Sequence, residues 1–352
     1  MQRHTFLFTS TLAAALWIFS PADSVPAQDK LELQVLGDGQ TYEIGNPPAE
    51  NQPVASGRQA SDPATGISAS GSQAQAQPAP EFQLEILNPG PVSASGPEAL
   101  EQSPLEALRQ AAERGDASAQ YKLGLSLLSG EGLPNGADPV EAARWLSMAA
   151  DRGLPEARHQ LALLYQQGLG VAKDLERALQ LFKAAADQGY AESQYSLGLM
   201  YDLGEGVAQD SALAAQYFLK AANQNHMEAQ LLLARMYEME KGLPRDDAEA
   251  ARWYERAASQ GHPAAQYYLA LMYARGRGGL SQDYEQAAQW LRKSADQDVP
   301  QAQVELGQYY YQGLGVKRDY AEAARLFQQA AAQGQAQAQT ALENMKNEGL
   351  IK

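Results

Sequence analysis

One block of sequence returns every 36 to 38 residues, six times. Each copy starts at a small anchor residue: Ala119, Ala157, Ser193, Ala229, Ala265 and Ala302. A leucine follows four positions later and, in five copies, a tyrosine eight positions later. A fixed period of this length restricts the chain to a stacked array, because one unit is too small to bury its apolar face alone. At 352 residues the chain has the length of two or three ordinary domains. The periodicity instead makes residues 101–352 one elongated all-α solenoid. Its repeats lie near 117–153, 155–189, 191–225, 227–261, 263–298 and 300–334, followed by a C-terminal capping helix over 336–348. Such a fold offers surfaces to partners, not a pocket for chemistry.

Each copy reads as two antiparallel helices, A and B. In copy two, Ala157, Leu161, Leu164 and Tyr165 fall on one helical face. Pro155, Pro263 and Pro300 sit just inside their helices, where the missing donor does no harm. Helix A ends at a G-x-G turn such as Gly168-Leu169-Gly170, since glycine accepts the positive φ of a helix exit. Helix B opens on Asp138, Asp174, Asp210, Asp246, Asp283 or Asp319, whose carboxylates suit the orphan amides of a first turn. Glu141, Glu249 and Glu322 stand three residues on and are expected to close reciprocal caps. Small–large–small runs such as Ala142, Trp145, Leu146, Ala149 and Ala150 let B helices approach closely. Helix B ends at Gly153, Gly189, Gly261 and Gly334, with Asn225 and Asp298 standing in for glycine. A helix before the first copy and Ala338 to Asn347 after the last, with Glu343 and Lys346 at core positions, read as polar caps.

The N-terminus has the pattern of an export signal. Arg3 and His4 precede an apolar run from Phe6 to Phe19, and Val25-Pro26-Ala27 suits cleavage, giving residues 1–27 as signal peptide. The run is short of the ~20 apolar residues a membrane span needs, so no span is expected after cleavage. The expected location is periplasmic or secreted. The chain has no cysteine, which rules out a disulfide framework and lipidation at a cleavage-site cysteine. Residues 28–100 are rich in Ser, Ala, Gln, Pro and Gly, with nine acidic against two basic residues and only Tyr42 and Phe82 as aromatics. That composition buries too little apolar surface to offset the entropy of ordering, so the segment reads as a disordered acidic linker. Within it, Leu31–Leu36 and Phe82–Leu87 alternate in a strand-competent way, either as short strand-adding motifs or as incidental patterning. The net charge of −15, with no dense basic patch, argues against nucleic acid as partner.

The run from Ala302 through Gly307, Tyr310, Gly313-Leu314-Gly315-Val316 and Asp319 to Ala330-Ala331-Ala332-Gln333-Gly334 resembles a Sel-1-like repeat, a relative of the tetratricopeptide repeat. Copy four departs most, with Glu240 at the first turn glycine, and copy one has Leu127 in place of tyrosine. The resemblance implies a right-handed superhelix whose A helices line a concave groove, and a scaffold for protein complexes. Exported bacterial members include regulators of sensor kinases and scaffolds of polysaccharide secretion. A cysteine-rich branch is linked to penicillin binding, and its paired cysteines are missing here. Aligned as tetratricopeptide repeats are, the second residue after each anchor points inward: Tyr121, His159, Tyr195, Leu231, Tyr267 and Val304. The sixth adds Leu125, Leu163, Leu199, Arg235, Leu271 and Gln308, with Asp202, Glu238, Arg275 and Tyr311 at the edge. Aromatic anchors with a polar rim suit a binding hot spot, and the tyrosine hydroxyls favour exposure. The sixth-position leucines fit groove and core equally.

Three functions remain on this reading: an envelope adaptor for a protein or peptide, a polysaccharide-associated scaffold, and a cell-wall hydrolase. His226 and His262 share one register, but no further ligand completes a metal site, so they are expected to cap helices. The recurring aspartates are accounted for as caps, and no nucleophile motif appears, so no enzyme and no cofactor is expected.

Overall fold

The computed structural model describes residues 104–130 and 136–352. The signal peptide, its cleavage site, the linker and both alternating motifs lie outside the described residues. The described residues form fourteen helices and no strand. A first helix, α1 (Pro104–Glu113), precedes six A–B pairs. These are α2 (Ala117–Ser129) with α3 (Pro139–Asp151), α4 (Pro155–Gln167) with α5 (Leu175–Ala186), and α6 (Ala191–Leu203) with α7 (Ser211–Asn223). Then come α8 (Met227–Glu238) with α9 (Asp247–Ser259), α10 (Pro263–Arg275) with α11 (Tyr284–Ala295), and α12 (Pro300–Gln312) with α13 (Tyr320–Ala332). α14 (Ala336–Asn347) closes the array, and Leu350 and Ile351 fold back onto the apolar cluster around Phe327 and Met345.

All six aspartates cap helix B through one carboxylate oxygen, Asp210 taking the Leu213 amide at 2.9 Å and Asp319 those of Ala321 and Glu322 at 3.0 Å. The reciprocal half of the cap is not built. The amides of Asp138, Asp246 and Asp319 already donate to the carbonyls of Leu127, Tyr237 and Tyr310, eight residues past each anchor. Glu141 and Glu322 therefore pair with Arg109 at 3.0 Å and Arg325 at 2.7 Å, and Glu249 pairs with Arg252. Asp174, Asp210 and Asp283 bond back to the position-eight residue in the same way, so one bond per copy ties the start of B to the end of A.

The residue just past helix B takes a left-handed conformation in every copy, including Asn225 at φ 66° and Asp298 at φ 60°. The two turn glycines after helix A have different reasons. A Cβ on Gly313, a first glycine, would make only ordinary contact, with Arg318 Cβ at 3.4 Å, although one on Gly130 would lie 2.5 Å from the Ala137 nitrogen of its own turn. A Cβ on the second would collide with the start of the preceding copy's helix B: 2.1 Å from the Tyr284 carbonyl at Gly315, 2.3 Å from Ser211 backbone at Gly242. Copy four accordingly tolerates Glu240 at the first position, at φ 56°, and keeps Gly242 at the second.

Helix B contributes one wholly buried large side chain per copy, among them Phe182, Phe218, Tyr254 and Phe327. The facing position on helix A is small for that reason. A Cβ on Gly198 would lie 2.4 Å from the Phe218 ring, and one on Gly307 2.8 Å from Phe327.

Candidate partner-binding surface

The inward-predicted positions divide into two groups. Tyr121, Tyr267, Leu125, Leu163, Leu271 and Tyr311 are half-buried, as are Val304 and Gln308. His159, Tyr195, Leu199, Leu231 and Arg235 are buried, Leu231 at 0% exposure and Tyr195 at 7%. The expectation that the tyrosines face solvent fails at Tyr195. Its ring stacks on His226 of the next copy at 4.5 Å and meets Phe218 at 5.9 Å. Burial and the nearby Glu228 and Glu192 carboxylates push its hydroxyl well above the usual range. Arg235 lies over the Tyr268 ring at 4.5 Å, and Tyr268 meets Tyr267 edge-on at 5.2 Å.

His159 explains the one anchor that is not alanine. Its Nδ1 lies 3.0 Å from the Ser193 hydroxyl, so the serine of copy three satisfies an imidazole of copy two. Phe182 and Tyr190 flank the ring at 5.4 and 5.3 Å. Burial lowers the imidazole to about 4, against the opposing pull of Glu192. Ser193 is at 0% exposure, so this serine–histidine contact is closed to any substrate and serves packing. His226 and His262 cap helices as expected, accepting from the amides of Ala229 at 3.3 Å and Ala264 at 3.2 Å.

The predicted polar edge is engaged within the array. Asp202 is buried and pairs with Lys241 at 2.8 Å. Glu238 accepts from the Tyr254 hydroxyl at 2.7 Å and pairs with Arg277 at 3.2 Å. Tyr311 donates to Glu348 at 2.7 Å. Arg275 is exposed. Lys241 and Arg277 are the middle residues of their turns, and each reaches back to the preceding A helix.

A glutamine set was missed in the sequence. Gln120, Gln194, Gln230, Gln266 and Gln303 follow their anchors directly and are buried. Each donates to a helix B carbonyl eight residues back, that of Ala112, Ala186, Ala222, Ala258 or Ala295. Four of them accept in turn from a glutamine at the end of their own helix B: Gln224, Gln260, Gln297 and Gln333, at 2.7 to 3.0 Å. The signal was present as a glutamine after five of six anchors. Its amide spans three helix ends in one network.

Six matches to the Sel1 repeat model cover residues 117–154, 155–190, 191–226, 228–262, 263–299 and 300–335. The chain belongs to the Sel1 repeat family. Among solved structures, this Sel1 array is similar to a protective antigen present in uropathogenic Escherichia coli strains, which displays the SLR fold. Identity is 36% and the TM-score 0.66, over 70% of this chain and 52% of that one, so the chain spans about half of that relative. It is also similar to a Sel1 repeat protein from Oxalobacter formigenes, at 30% identity and a TM-score of 0.57, over 65% of this chain and 99% of that one. No curated protein sequence matches significantly. Sel1 arrays are commonly protein–protein interaction scaffolds, and among the described residues no helix is long and apolar enough to cross a membrane.

Proposed function

We propose that this Sel1 array is an exported adaptor that binds a partner protein or peptide along its A helices and so brings components of an envelope assembly or signalling complex together. One observation carries the reading. The features present in every copy, namely capping aspartate, second turn glycine and buried helix B side chain, are all used in building the helix pair or stacking it on its neighbour. The half-buried inward positions, Tyr121 and Leu163 among them, carry none of these features and are read as the surface that recognises a partner. Recognition through scattered aromatic anchors on a rigid array needs no catalytic group.

The test places a photo-crosslinking amino acid at position 121 or 267 of the exported protein in living cells, followed by mass spectrometry. A discrete protein adduct from these positions, absent when the label sits at the outward Glu176, is the expected result. Adducts equally frequent at all positions refute the reading. Fractionation of the same cells checks export, and retention on immobilised polysaccharide with no protein adduct would favour the carbohydrate scaffold.

A further inference from the structure

At one position the junction between copies two and three differs in kind from the other five. The second residue after the anchor is a tyrosine, leucine or valine in five copies, and each is followed by alanine at the next anchor, from Ala157 to Ala338. Copy two alone places an imidazole there, His159, and the next anchor is the one serine, Ser193. Both are buried, at 7% and 0% exposure, with Nδ1 and Oγ 3.0 Å apart. Apolar residues of similar volume would hold the junction at least as well, and the chain uses them in every other copy. What an imidazole adds is a charge that appears in mild acid.

The surroundings of the ring are arranged against that charge. Phe182 of α5 and Tyr190, which precedes α6, close on it at 5.4 and 5.3 Å. Burial dominates and holds the imidazole down at about 4. Glu192, in the first turn of α6, favours the imidazolium, but its carboxylate already lies 3.0 Å from His226 Nε2. His226, at the start of α8, opposes it. Glu156, in the first turn of α4 itself, acts on Tyr190. A proton taken up in place would leave a charge in a largely apolar shell, whereas a ring turned out to water takes it up with its ordinary affinity. Ser193, Phe182 and Tyr190 enclose the ring, so it leaves only as α6 moves away from α4.

We propose that the contact between copies two and three is an acid-sensitive joint: proton uptake at His159 draws the imidazole away from Ser193 into water and parts α6 from α4. The other junctions, which hold no imidazole at this position, stay closed. Copies one and two then hinge against copies three to six in acid. His159 is one of the six predicted inward positions, so movement there reshapes the surface that the adaptor reading assigns to a partner. That consequence rests on the adaptor reading; the joint itself does not.

Hydrogen exchange of the full-length protein, read by mass spectrometry at about pH 7 and about pH 4.5 and referred to the intrinsic exchange rate at each, measures opening copy by copy. An imidazole that titrates at about 6.5 when released and about 4 when enclosed favours the open joint about fiftyfold more at the lower pH. Protection in α4 and α6 falls by up to that factor, and by much less in α10 and α12. The double variant His159→Tyr, Ser193→Ala, which installs the pair that Tyr121 and Ala157 form in sequence, removes the difference between the two regions. Ser193→Ala alone keeps it, because the imidazole remains. Should circular dichroism show the double variant unfolded, His159→Gln carries the same comparison. An equal fall along the whole array, or the same local fall in the double variant, overturns the joint. Partner capture is read separately, by the crosslinking at positions 121 and 267, so failure of the joint leaves the adaptor standing.

Discussion

The two glycines of each A–B turn provide the sharpest test of how the copies are held together. Gly313 and Gly315 flank Leu314 at φ 79° and 61°, so alanine at either must hold a left-handed conformation. That costs about 1–2 kcal/mol, offset by about 0.4–1 kcal/mol from the stiffer unfolded chain, leaving a net loss near 1 kcal/mol for Gly313→Ala. Gly315→Ala adds a collision. Its Cβ would lie 2.1 Å from the Tyr284 oxygen, 2.2 Å from the carbonyl carbon and 2.5 Å from the Glu285 nitrogen, all backbone. No rotamer relieves this, so the start of α11 must separate from the turn, loosening Leu314 and Val316 from the cluster around Leu306. Overpacking of this kind costs about 1–3 kcal/mol, giving a total of about 2–4 kcal/mol. Glu240→Gly, which relieves a strained residue at the first position, is expected to stabilise by about 0.5–1 kcal/mol. Urea unfolding followed by circular dichroism ranks the three. The midpoint should fall markedly for Gly315→Ala, slightly for Gly313→Ala, and rise for Glu240→Gly. Equal losses for the two alanine variants would refute the assignment of the second glycine to contact between copies.

Two further outcomes follow from buried polar groups. His159 is lowered to about 4, against about 6.5 when unfolded, so between those values the unfolded chain binds the extra proton and stability falls as pH falls, by up to about 3 kcal/mol. The urea midpoint should therefore drop from pH 7 to pH 4.5 more steeply in wild type than in His159→Gln. Identical slopes would mean that Glu192 and His226, which act on the ring in opposite senses, already keep its folded and unfolded affinities matched. In copy one the glutamine clasp is incomplete, because Arg152 occupies the position of Gln224 or Gln260 and Gln120 Oε1 is buried without a donor. Arg152→Gln supplies that donor and should stabilise by about 1 kcal/mol, read as a higher urea midpoint. No gain would show that the Gln120 oxygen costs nothing where it lies.

The sequence displays the array because its signals repeat: the anchor, the leucine, the capping aspartate and the positive-φ residues are local requirements that each copy states again. Contacts between copies are less visible, since they join residues 30 to 39 apart that no helical period links. Three expectations fail, the first through a bond inside each copy and the other two through contacts between copies. Glu141, Glu249 and Glu322 have the spacing of reciprocal caps, yet the amides they would accept belong to the preceding helix's carbonyls. Tyr195 has a hydroxyl that favours water, yet the next copy brings His226 over its ring. Asp202 and Glu238 have the composition of a free rim, yet the next turn brings Lys241 and Arg277.

The last case also shows which variation among copies is available for recognition. The ninth residue after an anchor meets the middle residue of the next turn, and the two vary together. Leu128 and Leu169 pack in one apolar cluster, as do Ala274 and Leu314 in another. Between them lie Gln166 with Glu205 at 3.0 Å, Asp202 with Lys241 at 2.8 Å and Glu238 with Arg277 at 3.2 Å. Junctions near the ends are thus apolar and the central ones polar or charged, each matched to itself. Variation on the turn edge therefore specifies which copy stacks on which, and says nothing about a partner. On the opposite edge, Glu156, Glu192 and Glu228 stand where the other copies have Ser118, Ala264 and Gln301, and His226 lies 3.0 Å from Glu192 and 3.3 Å from Glu228, so this variation too is met partly within the array.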